Sequence, residues 1–246
     1  MKSVPATSKE ILRSDRTLPE ISGVLFDMDG VLINSEPLHE FTLQELSSQF
    51  GRRFESEAEL QQFKGLPEVS IVELFKRIFP DLTLAAAEIT SLRLGQLLAN
   101  FHVVEMIEDA LGFVRRCKTA GLRLGLTTSA ARSVQQLAFQ TFELHHYFDA
   151  VVTGEDIAHG KPDPEPYRST AVKLSLSPTA CLVIEDAVNG VISGKAAGCF
   201  VVGITTSFTI EDLSRAGADL VFTSFRSLEN QLFDDGALLN PRAHAG

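Results

Sequence analysis

Two hydrophobic patterns divide the chain: short uninterrupted apolar runs, and longer stretches in which apolar residues recur every three or four positions. The first run, Val24-Leu25-Phe26, predicts a buried strand of a parallel sheet, because strands covered on both faces are apolar throughout. Further strands are predicted at 122–127, 149–153, 180–184 and 200–204, with helices from 107 to 118 and at 130–141, 164–175 and 187–197. This alternation predicts an α/β fold with a parallel sheet, helices on both faces and ligands at the carboxyl ends of the strands.

A segment without strand patterns separates the first strand from the rest of the chain. Helices are predicted from Glu36-Pro37 onward and at 56–63, 67–79 and 84–101, because proline is accepted in a first helical turn and Gly65 and Pro80 interrupt the pattern. We therefore expect an inserted helical segment over residues 35–103, with hinges near 33–36 and 102–105. Five phenylalanines are expected in its core, with a substrate-binding pocket as the alternative: Phe41, Phe50, Phe54, Phe63 and Phe75.

The remaining sequence divides into a core and two loose ends. Residues 20–34 and 104–239 carry the strand patterns and are expected to form the core that contains the sheet. Residues 1–19 mix charge and proline without a hydrophobic signal core, and 240–246 are short, so both are predicted to be flexible extensions. No apolar run approaches the roughly 20 residues that a transmembrane helix needs.

The first strand ends in two carboxylates one residue apart, within Asp27-Met28-Asp29-Gly30. Side chains alternate along a strand, so Asp27 and Asp29 share a face only while the extended geometry persists. Two carboxylates in a site of low dielectric repel each other, and a divalent cation is the simplest way to relieve that repulsion. On this motif alone, an ordinary strand followed by an acidic turn is an equal alternative.

Three further segments place chemical groups at the ends of predicted strands or loops. Thr127-Thr128-Ser129 brings hydroxyls to the end of a second strand, and Glu185-Asp186 ends another strand in paired acids. The loop His159-Gly160-Lys161-Pro162-Asp163-Pro164 holds one lysine just before a helical stretch. Acid pairs, hydroxyls and a lysine at such positions favour phosphate and metal chemistry.

With Phe26-Asp27-Met28-Asp29-Gly30-Val31-Leu32 at the front, the order of these motifs resembles the haloacid dehalogenase superfamily of aspartate-nucleophile phosphatases. The chain is similar in particular to the branch with a small helical cap after the first strand, which includes sugar-phosphate phosphatases and β-phosphoglucomutase. The resemblance covers roughly residues 21–232. It implies a Rossmann-like parallel-sheet core with helices on both faces and an inserted all-helical cap domain, so residues 35–103 are called the cap from here on.

The resemblance also implies how these motifs divide the chemistry. Asp27 would attack the phosphorus of the substrate and form an aspartyl-phosphate, and Asp29 would act as general acid and then as general base. The implied cofactor is Mg²⁺, a hard cation that prefers oxygen ligands, held by the Asp27 carboxylate, the Asp29 backbone carbonyl and Asp186. Glu185 would bind this metal directly or through water, or would only support the neighbouring residues.

The hydroxyl and the lysine would bind the phosphoryl group that is transferred. Thr128, with the backbone amide of Ser129, would hold the phosphoryl oxygens, and Lys161 would balance the charge between the nucleophile and the phosphoryl group. Thr128 has an alternative role as the N-terminal capping residue of the following helix. A solvated loop lysine is the corresponding alternative for Lys161, although two prolines stiffen its loop.

Substrate specificity is expected to depend on His39 and on the turn Lys64-Gly65-Leu66-Pro67-Glu68, both in the cap. His39 matches a histidine that β-phosphoglucomutase uses around its acid/base aspartate, whereas Glu68 stands where the mutase carries a phosphate-binding arginine. No lysine occurs from 79 to 116, so a clamp for a second phosphate would have to use Lys64 or Arg93.

These features favour a Mg²⁺-dependent phosphatase that hydrolyses a small phosphomonoester, expected to be a sugar phosphate. A phosphosugar mutase similar to β-phosphoglucomutase is the alternative within the enzymes. A non-catalytic regulator on the same fold is the alternative of another class, and it is disfavoured because no core motif residue is missing.

Charge and cysteine content limit the partners and the compartment. The net charge of −10 argues against nucleic acid or an anionic membrane as the main partner. A small phosphorylated metabolite remains compatible, because a local lysine, backbone amides and a bound metal can outweigh the global field. Cys181 and Cys199 lie in strand-like runs and are expected to be buried free thiols, which suits a reducing cytoplasm. We therefore expect a cytoplasmic protein. We also expect a monomer.

Overall fold

A sheet of six parallel strands has the first apolar run of the sequence near its centre. The computed structural model describes residues 20–235, so the predicted extension at 1–19 and the predicted tail at 240–246 lie outside the described residues. The strands in chain order are β1 (Gly23–Phe26), β2 (Ile33–Asn34), β3 (Glu105–Met106), β4 (Arg123–Thr127), β5 (Ala150–Val152), β6 (Cys181–Glu185), β7 (Phe200–Ile204) and β8 (Leu220–Phe222). The main sheet has the order β5-β4-β1-β6-β7-β8.

The helices that follow the strands cover both faces of this sheet. In chain order the α-helices are α1 (Glu36–Gln49), α2 (Glu57–Gln61), α3 (Glu68–Ile78), α4 (Ala86–Asn100), α5 (Ala110–Thr119), α6 (Arg132–Thr141), α7 (Glu165–Lys173), α8 (Val188–Ala197), α9 (Ile210–Ala216) and α10 (Phe225–Glu229). Val24 and Phe26 pack in one hydrophobic cluster with Phe113 of α5, called the α5-side cluster. Leu25 packs in a separate cluster with Tyr167 of α7. Successive residues of β1 therefore enter opposite layers, which is why the run is apolar throughout.

The register of the central strands brings three chain segments to one edge of the sheet. Phe26 pairs with Leu126 of β4 and with Ile184 of β6. Because the three strands are parallel, the residues that follow each of them leave the sheet side by side. The sequence thus places the acid pair, the hydroxyls and the second acid pair next to one another, as ligand sites of open α/β sheets require.

The cap helices α1 to α4 carry a hydrophobic cluster of their own, called the cap cluster. Its aromatic members are Phe54, Phe63, Phe75 and Phe79. The centroids of the Phe54 and Phe79 rings lie 5.2 Å apart in an edge-on arrangement that aromatic pairs prefer.

The prediction of a buried ring is wrong for two phenylalanines of the cap. Phe41 is 43% exposed and Phe50 is 39% exposed. The buried face of α1 consists of Leu38, Thr42, Leu43, Leu46 and Ser47 instead. Helical spacing indicated an apolar stripe but not which of the overlapping stripes contacts the neighbouring helices.

The chain passes from the core into the cap and back again, and a short antiparallel pair of strands joins these two connecting segments. Ile33 of β2 pairs with Met106 of β3, and Asn34 pairs with Glu105. Strands of two residues are too short to produce a sequence pattern, so this pair was not predicted. We propose that residues 35–103 act as one domain and that the hinges lie beside this pair.

The last part of the core was also not predicted in detail. The segment after β7 contains α9, β8 and α10, which have seven, three and five residues. Such short elements give too few repeats of either hydrophobic period to identify. Among the described helices, none has the length and apolar character needed to cross a membrane.

Candidate active site

Lys161 lies at the centre of the polar groups that the strand ends bring together. It comes from the loop between β5 and α7, and its side chain is buried. Its Nζ donates to Asp27 Oδ1 at 2.6 Å, to Glu185 Oε1 at 2.6 Å and to the carbonyl oxygen of Thr127 at 3.2 Å. Burial alone would lower the pKa of Lys161, but the two carboxylates outweigh burial and raise it. The ammonium group therefore keeps its charge between two acids from different strands.

Glu185 uses both of its oxygens within the protein. Oε1 accepts hydrogen bonds from Lys161 Nζ and from the Tyr167 hydroxyl, each at 2.6 Å. Oε2 accepts from the backbone amides of Asp186 and Ala187 at 3.1 and 3.2 Å. Sequence analysis missed Tyr167; the signal was a hydroxyl-bearing aromatic residue at a buried position of α7, three residues after Pro164.

Three carboxylates at this edge fit a hard divalent cation. Asp27, Glu185 and Asp186 are buried, and one carboxylate oxygen of each lies within 4.8 Å of one oxygen of each of the other two. Burial raises the pKa of Asp27 well above its usual value, although Lys161 lowers it in part. Burial and then the charge of Glu185 raise the pKa of Asp186 to about 7. Clustered carboxylates that ionise with such difficulty, and that offer only oxygen donors, suit Mg²⁺.

Gly30 explains why the acid pair is followed by glycine. Its φ angle is +75°, and a Cβ atom at this position would lie 1.9 Å from Asp186 Oδ2. The backbone then turns sharply, with the amides of Leu32 and Ile33 donating to the carbonyl of Met28. Any side chain at position 30 would push Asp186 away from the acid pair.

This turn brings Asp29 against two residues from the start of the cap. The Ser35 hydroxyl donates to Asp29 Oδ1 at 2.5 Å, and His39 Nε2 lies 3.9 Å from the same oxygen. Burial raises the pKa of Asp29, but the interactions with His39, Ser35 and Lys161 outweigh burial and lower it. Sequence analysis placed His39 near this carboxylate but did not identify Ser35, whose only signal was its position just before α1.

The hydroxyls after β4 occupy different environments. Thr128 is buried, and its Oγ1 accepts a hydrogen bond from the backbone amide of Ala130 at 3.0 Å. Ser129 is exposed. Thr128 therefore holds the turn that precedes α6 and leaves its hydroxyl hydrogen free to donate. The alternative role as the capping residue of α6 is wrong, because the residue at that position is Ala131 and no side chain caps the helix.

The predicted specificity turn of the cap contacts the core beside Asp186. The carbonyl oxygen of Gly65 accepts a hydrogen bond from Asn189 Nδ2 at 3.3 Å. With φ at +68°, Gly65 faces Phe208, and a Cβ atom there would lie 3.1 Å from its ring and 3.8 Å from the Cβ of Ala187. Glu68, at the start of α3, forms an ion pair with the buried Arg93 of α4. Sequence analysis noted both charges but not their pairing.

The chain is similar to one known family and to proteins that are named as phosphatases. The profile of the haloacid dehalogenase-like hydrolases matches residues 24–204. Validoxylamine A 7'-phosphate phosphatase of Streptomyces hygroscopicus subsp. limoneus is 29% identical over 194 residues, which cover 78% of this chain and 89% of that protein. Hexitol phosphatase B of Escherichia coli (strain K12) is 31% identical over 182 residues, which cover 72% of this chain and 81% of that protein.

The fold also matches solved structures. The crystal structure of β-phosphoglucomutase from Clostridium difficile superposes with a TM-score of 0.73 at 19% identity, covering 85% of this chain and 93% of that chain. At this identity the likeness concerns the fold alone, and it confirms the predicted α/β core with its parallel sheet. The profile match and the relatives named as phosphatases show that the chain belongs to the haloacid dehalogenase-like hydrolases, a family of enzymes, as the order of its motifs predicts.

Proposed function

We propose that this protein is a Mg²⁺-dependent phosphatase that hydrolyses a small phosphomonoester, a sugar phosphate, through an aspartyl-phosphate on Asp27. The observation that carries the proposal is the position of Asp27 at the end of the central strand, 2.6 Å from Lys161 Nζ and beside Asp186. Two relatives are named as phosphatases, one of validoxylamine A 7'-phosphate and one of hexitols. Both names are compatible with a small phosphorylated metabolite as the partner of this chain.

In the first half of the reaction, a carboxylate oxygen of Asp27 attacks the phosphorus and the bond from phosphorus to the leaving oxygen breaks. Lys161 stabilises the charge that the phosphoryl group spreads over its oxygens. The hydroxyl of Thr128 and the backbone amide of Ser129 donate to those oxygens. Asp29 gives a proton to the leaving oxygen; the approach of a phosphate anion raises the pKa of a neighbouring carboxyl, which favours this protonated form.

In the second half, water attacks the phosphorus of the aspartyl-phosphate and the carboxylate of Asp27 is released. Asp29, now deprotonated, takes the proton from that water. Ser35 and His39 hold the carboxylate of Asp29 in place and favour its ionised form. The lowered pKa of Asp29 therefore suits its role as a base.

The Asp27 carboxylate, the Asp29 backbone carbonyl and Asp186 would hold Mg²⁺. When bound, this ion supplies positive charge to the phosphoryl oxygens and relieves repulsion within the acid cluster. Glu185 already accepts four hydrogen bonds, so we propose that it positions Lys161 and the turn after β6 and does not bind the metal directly.

The primary test is release of inorganic phosphate from a generic aryl phosphate with and without Mg²⁺, followed by a screen of sugar phosphates and nucleotides. We expect Mg²⁺-dependent release, with the highest kcat/KM on a sugar or polyol monophosphate. Absence of release from every phosphomonoester would contradict the proposal and favour a non-catalytic regulator.

A mutase would have to retain a bisphosphorylated intermediate while it reorients, so its cap must clamp the distant phosphate. In this chain the Glu68 carboxylate would repel that phosphate, and it already neutralises Arg93. We expect a sugar 1-phosphate to be hydrolysed, with no isomerisation when sugar bisphosphate is added; phosphate release and isomer formation are measured in the same reaction. Conversion to the 6-phosphate with negligible free phosphate would establish the mutase instead.

Contact between the cap turn and the core is expected to be needed for turnover, because closure excludes water and aligns the substrate. Gly65→Ala adds a methyl group against Phe208 and should lower kcat/KM at least about tenfold, since misplacement of catalytic geometry is costly. Gly51→Ala is the matched control, because Gly51 has the same φ of +68° and nothing within 4 Å of the added atom. Equal activity of the two folded variants, measured with an aryl phosphate, would show that the contact is unimportant.

A further inference from the structure

Buried polar atoms without a hydrogen-bond partner are concentrated in the cap. Within the described part of the chain they are His39 Nδ1, Glu68 Oε1, Arg93 Nε and Nη2, and Gln96 Oε1. All of them belong to α1, α3 or α4. Leaving a buried donor or acceptor unpaired is unfavourable, so a group of such atoms in neighbouring helices indicates a ligand that pairs with them.

The guanidinium of Arg93 is the central member of this set. Arg93 is 0% exposed and lies on the buried face of α4, between Ile89 of the cap cluster and Leu97 of the α5-side cluster. Its Nη1 donates to Glu68 Oε2, whereas the N–H groups at Nε and Nη2 have no acceptor. A guanidinium remains charged when buried, so these N–H groups need acceptors that the protein itself does not supply.

Two other members connect this set to the catalytic residues. His39 carries its unpartnered Nδ1 on the ring whose Nε2 lies 3.9 Å from Asp29 Oδ1. Glu68 follows the turn whose Gly65 carbonyl accepts a hydrogen bond from Asn189 of the core. His39 thus lies beside the acid/base carboxylate, and α4, which carries Arg93 and Gln96, packs against both α1 and α3. We infer that the set faces the leaving group of a phosphomonoester.

The chemistry of the free atoms distinguishes between kinds of leaving group. Arg93 offers donors, whereas Glu68 and Gln96 offer acceptors. Gln96 lies about one helical turn after Arg93 on α4, and Glu68 is the ion-pair partner of Arg93. A hydroxyl group both donates and accepts, so neighbouring hydroxyls can satisfy both kinds of atom. A second phosphate only accepts, so it would leave the Glu68 and Gln96 oxygens unpaired and would be repelled by the Glu68 charge.

We propose that Arg93, Glu68 and Gln96 form the specificity site for the leaving group, and that this site binds adjacent hydroxyls of an uncharged sugar or polyol. The proposal rests on the phosphatase function proposed above and deepens it by naming what the substrate carries beyond its single phosphate. The ion pair keeps the site neutral overall, which excludes bisphosphates and diphosphates while retaining charged groups for hydrogen bonding.

The test compares kcat/KM, with Mg²⁺, for the best sugar or polyol monophosphate of the screen, for p-nitrophenyl phosphate and for a sugar bisphosphate. Glu68→Gln and Arg93→Met should each lower the ratio of sugar monophosphate to aryl phosphate about 10- to 100-fold, because the aryl group has no hydroxyls to lose. Glu68→Gln should also raise the relative kcat/KM for the bisphosphate, since the charge of Arg93 is then no longer cancelled. Glu68→Gln keeps an acceptor for the buried Arg93, so it decides the question if Arg93→Met does not fold.

The exposed ion pair of the same cap provides the matched control. Arg52 Nη2 lies 2.9 Å from Asp81 Oδ2, with both side chains solvent-accessible, and Arg52→Met and Asp81→Asn should leave the ratio unchanged. A ratio that stays within about twofold of wild type in folded Glu68→Gln, or a wild type that prefers bisphosphates, would overturn the assignment while the phosphatase function stands. Failure of the wild type to hydrolyse any of the three compounds would instead contradict the proposed function itself.

Discussion

Asp27→Asn is expected to abolish phosphate release while the protein remains folded. An amide is nearly the same size as the carboxylate but cannot attack phosphorus, and removing a covalent nucleophile typically lowers the rate by about 1000-fold or more. Burial already raises the pKa of Asp27 well above its usual value, so the fold pays little for losing this negative charge in the absence of metal. Circular dichroism checks the fold, and phosphate release from an aryl phosphate checks the activity.

The control for this variant is Asp81→Asn, the same change at an exposed position of the cap. It should retain wild-type activity on the aryl phosphate. A folded Asp27→Asn protein that kept more than about a tenth of wild-type activity would rule out Asp27 as the nucleophile, because acid/base or electrostatic roles alone leave such residual rates. A second measurement is intact mass after rapid quenching, in which only a protein with Asp27 should carry a phosphoryl group.

The positions of the groups at the strand ends could be predicted from the sequence because they depend on few physical facts. Asp27, Thr128 and Asp186 each follow closely on an apolar run, and parallel strands that pair with a common neighbour end at the same edge. Lys161 was predictable from the loop that carries it, since the loop leads from the next strand into α7.

Other parts of the site depend on packing between elements that no local pattern encodes. Tyr167 and Glu185 are 18 positions apart, and Arg93 and Glu68 are 25 positions apart. Whether such side chains meet depends on how α7 lies on β6 and how α4 lies on α3. The sequence therefore showed Glu68 as an isolated negative charge, whereas the structure shows it as the partly exposed partner of the buried Arg93.

The acid cluster makes stability depend on pH and on metal. Burial and the charge of Glu185 raise the pKa of Asp186 to about 7, compared with about 3.9 for an unfolded chain. A carboxyl that binds its proton more tightly in the folded state lowers the free energy of unfolding as pH rises from about 4 to about 7. Because of the contribution of Asp186, the metal-free protein is expected to have a lower thermal midpoint at pH 8 than at pH 5. Asp186→Asn removes the ionisation and should reduce that difference.

Asp186→Asn is expected to weaken Mg²⁺ binding far more than Glu185→Gln. Asp186 is proposed to bind the metal directly, so its loss should raise the half-saturating Mg²⁺ concentration more than about 100-fold, whereas loss of a supporting carboxylate typically costs about 10- to 100-fold. Both variants keep the size of the side chain, which is important because Glu185 is the buried partner of Lys161 and Tyr167. Mg²⁺ titrations of activity, and of the thermal midpoint at pH 8, measure the two effects independently. Equal shifts in the two variants would mean that both carboxylates coordinate the metal, and a larger effect of Glu185→Gln would exchange their assigned roles.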